Sequence, residues 1–229
     1  MRLLSWVPVV IGVHFLPAAV MAAGINLSWD DCGAAGSSFK FFDCNSNLGQ
    51  DVLVASAEAP ADLDSVSGFL ATIFIKSAGP LPEWWRFKSP TDFTVPIHPQ
   101  CRDSSAVRLV VDPSSVSCPT ILGDFTRSDR FLGYSSEPEY HGDPTLARVR
   151  VYGQLMNDVR KVTLSGEGYL FSLVVTHRQT VGDGSCPGCD LPVCIVFTEV
   201  VYFRDGTDDS RTDPITTLNR PGFSGELVT

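Results

Sequence analysis

Short apolar segments, separated by clusters of Gly, Pro, Asp and Ser, recur along the whole chain. In the first of them, Ile25, Leu27 and Trp29 alternate with Asn26 and Ser28, which is the period of two expected for a half-buried strand. Seven further segments of this kind follow, at 52–57, 69–76, 107–111, 147–152, 159–164, 169–176 and 194–203. The pattern therefore predicts a chain built from at least eight short strands.

Helical periodicity is confined to residues 63–67 and 154–159, each long enough for one or two turns. Parallel strands need long and usually helical crossovers, so strands without such connections pair antiparallel. We predict an all-β fold, a two-sheet antiparallel β-sandwich of immunoglobulin-like or jelly-roll type with long loops and little helix; a closed barrel is the alternative. The nearly continuous apolar run at 69–75 is expected at the centre of a sheet, buried on both faces.

The amino terminus has the three-part build of a secretory signal. Arg2 precedes an apolar run that extends to Val20, and small residues suit cleavage after Ala22 or Ala23. An uncleaved membrane anchor is the alternative, and it would need about 20 apolar residues to cross a bilayer. The apolar run is instead interrupted three times, by Pro8, His14 and Pro17. We therefore predict a signal peptide at 1–22.

The remaining residues, 23–229, show no shift in composition and are expected to form a single β-sandwich domain without a membrane span. The predicted location is secreted, periplasmic or cell-surface. The chain has 17 Lys and Arg against 26 Asp and Glu; removal of Arg2 with the signal leaves 16 against 26, a formal charge of −10. Because an acidic protein repels phosphate backbones, we expect no nucleic-acid partner.

All seven cysteines lie beyond the predicted signal, so an odd number enters an oxidising compartment. They are Cys32, Cys44, Cys101, Cys118, Cys186, Cys189 and Cys194. Two local disulfides are expected, because Cys32 and Cys44, like Cys101 and Cys118, flank a segment that can double back. The carboxy-terminal cluster then holds one further bridge and one spare thiol, and the sequence leaves Cys186–Cys194 and Cys189–Cys194 both open.

Two other chemistries fit the cysteine cluster less well. A redox pair at Cys186 and Cys189 would need a helix N-terminus to lower the thiol pKa, but Pro192 and a strand pattern follow. A structural zinc site would need four ligands, which the cluster could complete with His98 or His177. Disulfides remain the preferred interpretation because exported proteins oxidise such clusters.

The segment from Gly79 to Cys101 contains five prolines and is expected to be a long surface loop. Within it, Trp84, Trp85 and Phe87 could present a flat aromatic face, which is how sandwich modules stack on sugar rings. Neighbouring residues of a strand face opposite ways, so both tryptophans could not enter one core. These three residues are the candidate carbohydrate-binding site.

Two acidic segments are candidate metal sites. Glu137, Glu139 and His141 recur with a period of two, which would place three ligands on one face of an extended segment. Pro138 and Pro144 favour a loop instead, so a solvated acidic turn is the preferred interpretation. A second set, in a turn with the oxygen ligands that calcium prefers, comprises Asp205, Asp208 and Asp209. Calcium is the one cofactor considered, and the turn lacks the spacing of an EF-hand.

Five motifs stand out beyond the signal: residues 29–33 (WDDCG), 81–87 (LPEWWRF), 101–102 (CR), 180–189 (TVGDGSCPGC) and 192–196 (PVCIV). Together they resemble those of a family of exported bacterial proteins of unknown function, with the carboxy-terminal CxGC and PVCIV motifs as the most specific part. The resemblance implies a shared fold and export, and it brings no catalytic residue. A looser similarity of strand pattern links the chain to cohesin and carbohydrate-binding sandwiches, and such similarity does not establish function.

Signatures of nucleophile elbows, phosphate-binding glycine loops and His-Glu-x-x-His zinc sites are all missing from the sequence. No catalytic residue is assigned. We predict an exported, non-catalytic β-sandwich protein that acts as a binding or surface-structural module, with a carbohydrate or a cell-surface protein as its partner. The alternative is a secreted hydrolase that acts on polysaccharide, whose paired carboxylates only the fold would bring together.

Overall fold

Most of the described chain lies in β-strands. The computed structural model describes residues 24–58, 66–87, 101–121, 130–155, 166–204, 212–215 and 227–228. Within these ranges the strands are β1 (Ile25–Trp29), β2 (Gln50–Glu58), β3 (Val66–Lys76), β4 (Val107–Val110), β5 (Arg130–Pro138), β6 (Leu146–Leu155), β7 (Glu167–Thr176), β8 (Val193–Arg204), β9 (Thr212–Ile215) and β10 (Leu227–Val228). The predicted signal peptide and the predicted strand at 159–164 lie outside the described residues.

The strands form two sheets that share one apolar core. The first sheet has the order β1-β2-β7-β4, and the second has the order β10-β8-β3-β6-β5, with β9 also pairing with β8. All of these pairings are antiparallel. The predicted all-β, two-sheet sandwich is therefore confirmed. Helical structure in the described residues is limited to short 3-10 turns, and the segment expected to become helical at 154 instead continues β6 to Leu155.

Strand β3 lies at the centre of the second sheet, between β8 and β6. Its inward residues alternate and are all buried: Phe69, Ala71, Ile73 and Ile75. On the opposite face Leu70 and Phe74 are only half-buried. The predicted central position is confirmed, but the prediction that both faces are buried is wrong, because the outer face of this sheet is not fully covered.

Strand β1, which was predicted to be half-buried, is buried on both faces because Asn26 and Ser28 are covered as well. Strand β7 is likewise buried on both faces. Phe171 points into the core, where its ring stacks on that of Phe69 with centroids 5.8 Å apart. On the other face Tyr169 packs with Val54 and Cys32 in a separate apolar cluster. Burial raises the pKa of the Tyr169 phenol to about 12, and the hydroxyl donates to the carbonyl oxygen of Val110 over 2.8 Å.

A β-bulge in β8 explains how a twelve-residue strand keeps its apolar side chains in the core. Val193, Ile195 and Phe197 point inward, but the next inward residues are Val200 and Tyr202. The register to β3 shifts between these two groups. One extra residue in β8 reverses which positions face the core. The inward apolar residues accordingly change from odd-numbered to even-numbered positions at the bulge.

Candidate functional site at the bridged end

Three disulfides tie together loops that are far apart in the sequence. They are Cys32–Cys118, Cys44–Cys189 and Cys101–Cys186, with sequence separations of 86, 145 and 85. The expected total of three bridges and one spare thiol is confirmed, but every predicted pairing is wrong. Local pairing assumes that the shortest loops close, whereas here the crossing of the chain between two sheets brings distant loops to the same place.

The spare thiol belongs to Cys194, which lies half-buried in β8. Burial raises the pKa of this thiol, which reduces its thiolate fraction and its reactivity. Cys186 and Cys189 bond to different partners, so they form neither a redox pair nor, with Cys194, a set of zinc ligands. His98, a proposed fourth ligand, lies outside the described residues.

Two of the disulfides hold one end of the sandwich, which we call the bridged end. It comprises the loops at 38–49, 77–87, 101–106 and 177–192, which lead into or out of strands β2, β3, β4, β7 and β8. Cys44–Cys189 joins the first of these loops to the last, and Cys101–Cys186 joins the last to the third. These two disulfides therefore cross-link three of the loops, and hydrogen bonds from Trp84 attach the fourth, 77–87, to the same unit.

The predicted sugar-binding residues lie inside this unit. Trp84 and Trp85 are both 0% exposed, and Phe87 is also buried. Both tryptophans fall in the 3-10 turn Glu83–Trp85, where successive side chains do not point to opposite faces, so both enter the core. The prediction that these three residues form an exposed aromatic face is wrong, because it assumed strand geometry.

Trp84 joins three of the loops. Its indole Nε1 donates to Thr180 Oγ1 over 3.0 Å, and its backbone N–H donates to the carbonyl oxygen of Pro187 over 3.1 Å. Its ring meets that of Phe42, in the first loop, edge to face with centroids 5.2 Å apart. Gly188, the residue after Pro187, lies against Pro82. A Cβ added at Gly188 would be only 2.4 Å from the Pro82 ring. The CxGC motif therefore requires glycine to let the two loops approach.

Arg102 is a fully buried cation within the same unit. Its guanidinium carbon lies 4.1 Å from the centroid of the Trp84 ring, a desolvated cation–π contact. Nη1 donates to the Trp84 carbonyl oxygen over 3.1 Å, and Nη2 donates to that of Thr176. Burial lowers the pKa of Arg102 to about 10, so the side chain stays protonated at neutral pH and ties the tryptophan turn to the end of β7.

A chain of acidic and basic side chains anchors the loop at 38–49. His177 Nε2 lies 2.6 Å from Asp51 Oδ2, and both residues are buried. Asp51 Oδ1 lies 2.9 Å from Lys40 Nζ, which also contacts Asp30 Oδ2 at 2.8 Å. Partial burial lowers the pKa of Lys40, but its hydrogen bonds to Asp30 and Asp51 outweigh this and raise it overall.

Lys40 contacts both the Asp30 and the Asp51 carboxylates, which bears on whether these two groups could act as a catalytic pair. A glycosidase leaves the space between its two carboxyl groups for a sugar and water. Here both carboxylates approach the same ammonium group, whose single positive charge lies between them. This arrangement positions Lys40 and does not provide a catalytic pair.

The candidate metal ligands Glu137, Glu139 and His141 do not converge. Glu137 forms an ion pair with Arg148 at 2.6 Å, whereas Glu139 Oε1 lies 3.0 Å from Arg86 Nη1. His141 follows in a tight turn with a φ of 56°, outside any extended strand. The preferred interpretation, an acidic turn, is confirmed, and the alternative of three ligands on one extended face is wrong, because β5 ends at Pro138 and a 3-10 turn follows.

The described residues contain no group of three or more His, Cys, Asp or Glu side chains placed to hold a metal ion. The calcium candidates lie outside the described residues, and that prediction stays open. They are Asp205, Asp208 and Asp209.

The bridged end also carries the large exposed hydrophobic side chains of the described chain, which we call the apolar patch. They are Phe39, Phe41, Leu48 and Leu191, with exposed fractions of 45%, 76%, 83% and 50%. The rings of Phe39 and Phe41 contact each other edge to face, with centroids 4.4 Å apart. Leu48 lies in the same loop, and Leu191 lies in the loop that Cys44–Cys189 joins to it. Exposed apolar side chains that cluster mark interaction sites.

Hydrogen bonds and a disulfide fix the two loops that carry the apolar patch. Asn47 Oδ1 accepts from the backbone N–H groups of Thr180 and Val181 over 2.7 and 3.0 Å, and its Nδ2 donates to the Val181 carbonyl oxygen. Three residues before Asn47, the Cys44–Cys189 bond joins the same loops. Leu48 and Leu191 each lie within two residues of one of these links.

The apolar patch was not predicted from the sequence. The signal that could have found it is the run Phe39-Lys40-Phe41-Phe42, in which apolar residues precede a cysteine in a segment rich in Asn and Ser. Phe42 turns inward and packs against Trp29, whereas Phe41 points to solvent. Only the fold separates these two roles.

The comparisons with known proteins leave the function to be argued from this geometry. A scan against protein-family models, a search of curated proteins and a search of solved structures each found no match. The family resemblance and the similarity to cohesin and carbohydrate-binding sandwiches therefore remain predictions. In the described part of the chain, no helix is long and apolar enough to cross a membrane.

Proposed function

We propose that the protein is an exported, non-catalytic β-sandwich module that binds another protein through the apolar patch at its bridged end. The observation that carries this proposal is the exposure of Phe41 and Leu48, at 76% and 83%, on loops that a disulfide and the Asn47 hydrogen bonds hold in place. Burial of one such side chain at an interface contributes about 1.5–3 kcal/mol.

The rigidity of the loop at 38–49 increases the binding energy that these side chains can contribute. A loop that must be ordered on binding costs about 0.5–1.5 kcal/mol for each immobilised side chain. Here the loop at 38–49 is ordered in advance by Cys44–Cys189 and by the Lys40 ion pairs. More of the energy of burying Phe41 and Leu48 is therefore available for binding.

Export is supported by two observations of different kinds. The amino terminus carries the pattern of a secretory signal, and six of the seven cysteines are paired in disulfides. Disulfides form and persist in oxidising compartments, so the three bridges fit an extracellular protein. Secretion, a periplasmic location and attachment to the cell surface are all compatible with them.

A protein partner is better supported than a carbohydrate. Sugar rings stack on flat aromatic faces, and the tryptophans that would have supplied one are buried. In the apolar patch, Phe39 and Phe41 meet at 80°, which presents no single flat face. Aliphatic Leu48 and Leu191, exposed in the two loops that Cys44–Cys189 joins, add apolar area that a protein partner can cover.

Site-specific photo-cross-linking tests the proposal. The photoreactive residue p-benzoylphenylalanine replaces Phe41 in the full chain, produced in the cells that make the protein naturally. Replacement of the exposed residue Ser115, between β4 and β5, provides the matched control. We expect residue 41 to cross-link to one identifiable protein and residue 115 not to do so. Failure of residue 41 to cross-link, or equal cross-linking from residue 115, would refute the proposed function.

A further inference from the structure

The apolar patch is surrounded by unequal charge. Asp43, Asp183 and Asp190 are exposed in the two loops that carry the patch. Among the described residues of these loops, Lys40 and Arg178 are the only basic ones, and Lys40 already contacts the carboxylates of Asp30 and Asp51. The surface around the patch is therefore negative.

The Cys44–Cys189 disulfide links the positions of two of these acidic residues. Asp43 precedes Cys44 and Asp190 follows Cys189, and the α-carbons of the two bonded cysteines are 5.7 Å apart. The bridge thereby links the two loop positions that carry these exposed carboxylates, next to Leu191. Both carboxylates favour a positively charged partner.

We infer that the partner bound by the apolar patch is a basic amphipathic segment of another protein, with Leu or Phe side chains flanked by Lys or Arg. This inference rests on the proposed function and names the chemistry of its partner. Apolar side chains of the segment would cover Phe41 and Leu48, while its cations would approach Asp43 and Asp190. Such complementary charge increases the association rate and selects among partners.

Other occupants of the patch are disfavoured by the same charges. A second copy of this chain would bring Asp43 and Asp190 against identical carboxylates. A membrane that contains anionic lipids would repel them. A neutral surface would bury the apolar side chains but leave the carboxylates without partners.

A pair of designed peptides tests the inference on the mature chain. Both are labelled amphipathic peptides of about 14 residues with the same Leu pattern, one carrying Lys and the other Glu at its polar positions. We expect the Leu/Lys peptide to bind at least about tenfold more tightly, as measured by fluorescence anisotropy, and to lose about tenfold in affinity between about 0.05 and 0.5 M salt, where exposed charges are screened.

Matched variants identify the surface that binds. The double substitution D43N/D190N should remove most of the preference for the Leu/Lys peptide and most of the salt dependence. The control E58Q/D112N removes the same charge at the other ends of β2 and β4 and should change neither. The pair F41S/L48S should weaken binding of the Leu/Lys peptide by at least about tenfold.

Several results would overturn the inference. They are equal binding of the two peptides, no binding of either, or binding of the Leu/Lys peptide that D43N/D190N leaves unchanged. Co-sedimentation with phosphatidylcholine or phosphatidylglycerol vesicles, or a dimer by light scattering that F41S/L48S dissociates, would replace it with a different occupant. If residue 41 still cross-links to a protein in these cases, the proposed function stands and only the chemistry of the partner is wrong.

Discussion

Two groups of aromatic side chains lie at the bridged end, one buried and the other exposed to solvent. Trp84, Trp85 and Phe87 are buried, with the rings of Trp84 and Phe87 against the guanidinium of Arg102. Phe39 and Phe41 are exposed. Both groups lie in loops. The difference shows that a loop aromatic is a binding residue only if the other loops leave it uncovered.

A single residue connects the two groups. Phe42 turns inward and contacts Trp84 and Trp85 edge to face, each with centroids 5.2 Å apart. The preceding residue, Phe41, points outward. The buried group therefore anchors the segment on which the exposed group stands, and the two can be separated by substitution.

The largest expected effect is on the buried group. Substitution of Trp84 by Ala should reduce the free energy of unfolding by about 3–5 kcal/mol, because it leaves a cavity and removes the cation–π partner of Arg102. Chemical denaturation followed by circular dichroism measures this loss. Phe41→Ala is the matched control and should cost about 0.5 kcal/mol or less. Similar losses for the two variants would invalidate the comparison.

The disulfide that joins the patch loops comes next. The double substitution C44S/C189S should cost about 2–4 kcal/mol of stability and should also weaken cross-linking through residue 41, because the loop at 38–49 is freed. C194S, which removes the unpaired thiol, is the control for serine in place of cysteine. Unchanged cross-linking in the double variant would show that the bridge stabilises the fold without shaping the patch.

The charged chain beneath the patch should have an intermediate effect. Asp51→Asn removes the carboxylate charge of Asp51, which contacts both His177 and Lys40. It should reduce the free energy of unfolding by about 1–3 kcal/mol because buried polar groups lose a partner. Thermal unfolding measures the change. Asp30→Asn, at the exposed end of the same chain, provides the comparison and should cost less. An equal effect of the two variants would mean that burial of the pair does not matter.

Asp31, which belongs to neither aromatic group, is expected to make a pH-dependent contribution to the free energy of unfolding. The Asp31 carboxylate accepts the N–H groups of Ser117 and Cys32 over 2.7 and 2.8 Å, and these bonds lower its pKa from 3.8 in spite of partial burial. Because the folded state favours the ionised form, its stabilisation is present above pH 3.8 and is lost as the pH falls through the lowered pKa.

Asp31→Asn should therefore cost about 1 kcal/mol at neutral pH, and the difference from the unsubstituted chain should shrink in acid. Urea unfolding at a series of pH values measures both. A difference that stays constant down to low pH would assign the effect to packing instead of charge. Binding at the apolar patch should not change.

The smallest effect on stability is expected for the patch itself. F41S/L48S should change the free energy of unfolding by about 0.5 kcal/mol or less, since both side chains are exposed in the folded protein. Thermal denaturation measures this change, and the same preparation serves for the binding assays. A large loss of stability would show that the two residues support the fold, and the patch would lose its functional interpretation.

The strands were predictable where apolar residues alternate locally, as at Ile25, Leu27 and Trp29, because the side chains of a strand alternate between its two faces. The burial of the polar face of β1 was not predictable, since it depends on what covers Asn26 and Ser28. Strand β5 was missed: Ser135, Ser136 and Glu137 interrupt its apolar pattern. The phase change in β8 was also invisible, since a bulge depends on the neighbouring strand.

The site was harder to predict because it depends on which loops meet. Cys44 and Cys189 are 145 residues apart, and nothing local in the sequence indicates that they approach. Trp84 and Trp85 were assigned to the surface because a proline-rich loop is usually solvated. Their 3-10 turn and their contacts with Phe42 and Arg102 bury them.

The long span of the disulfides has a consequence for the order of assembly. Each native bridge joins residues at least 85 positions apart, whereas Cys32 and Cys44 lie close together near the amino terminus. A bond between these two thiols would exclude both native bridges and would have to be exchanged before the fold is complete. The loop that carries Phe41 is closed only after residue 189 has been added to the chain.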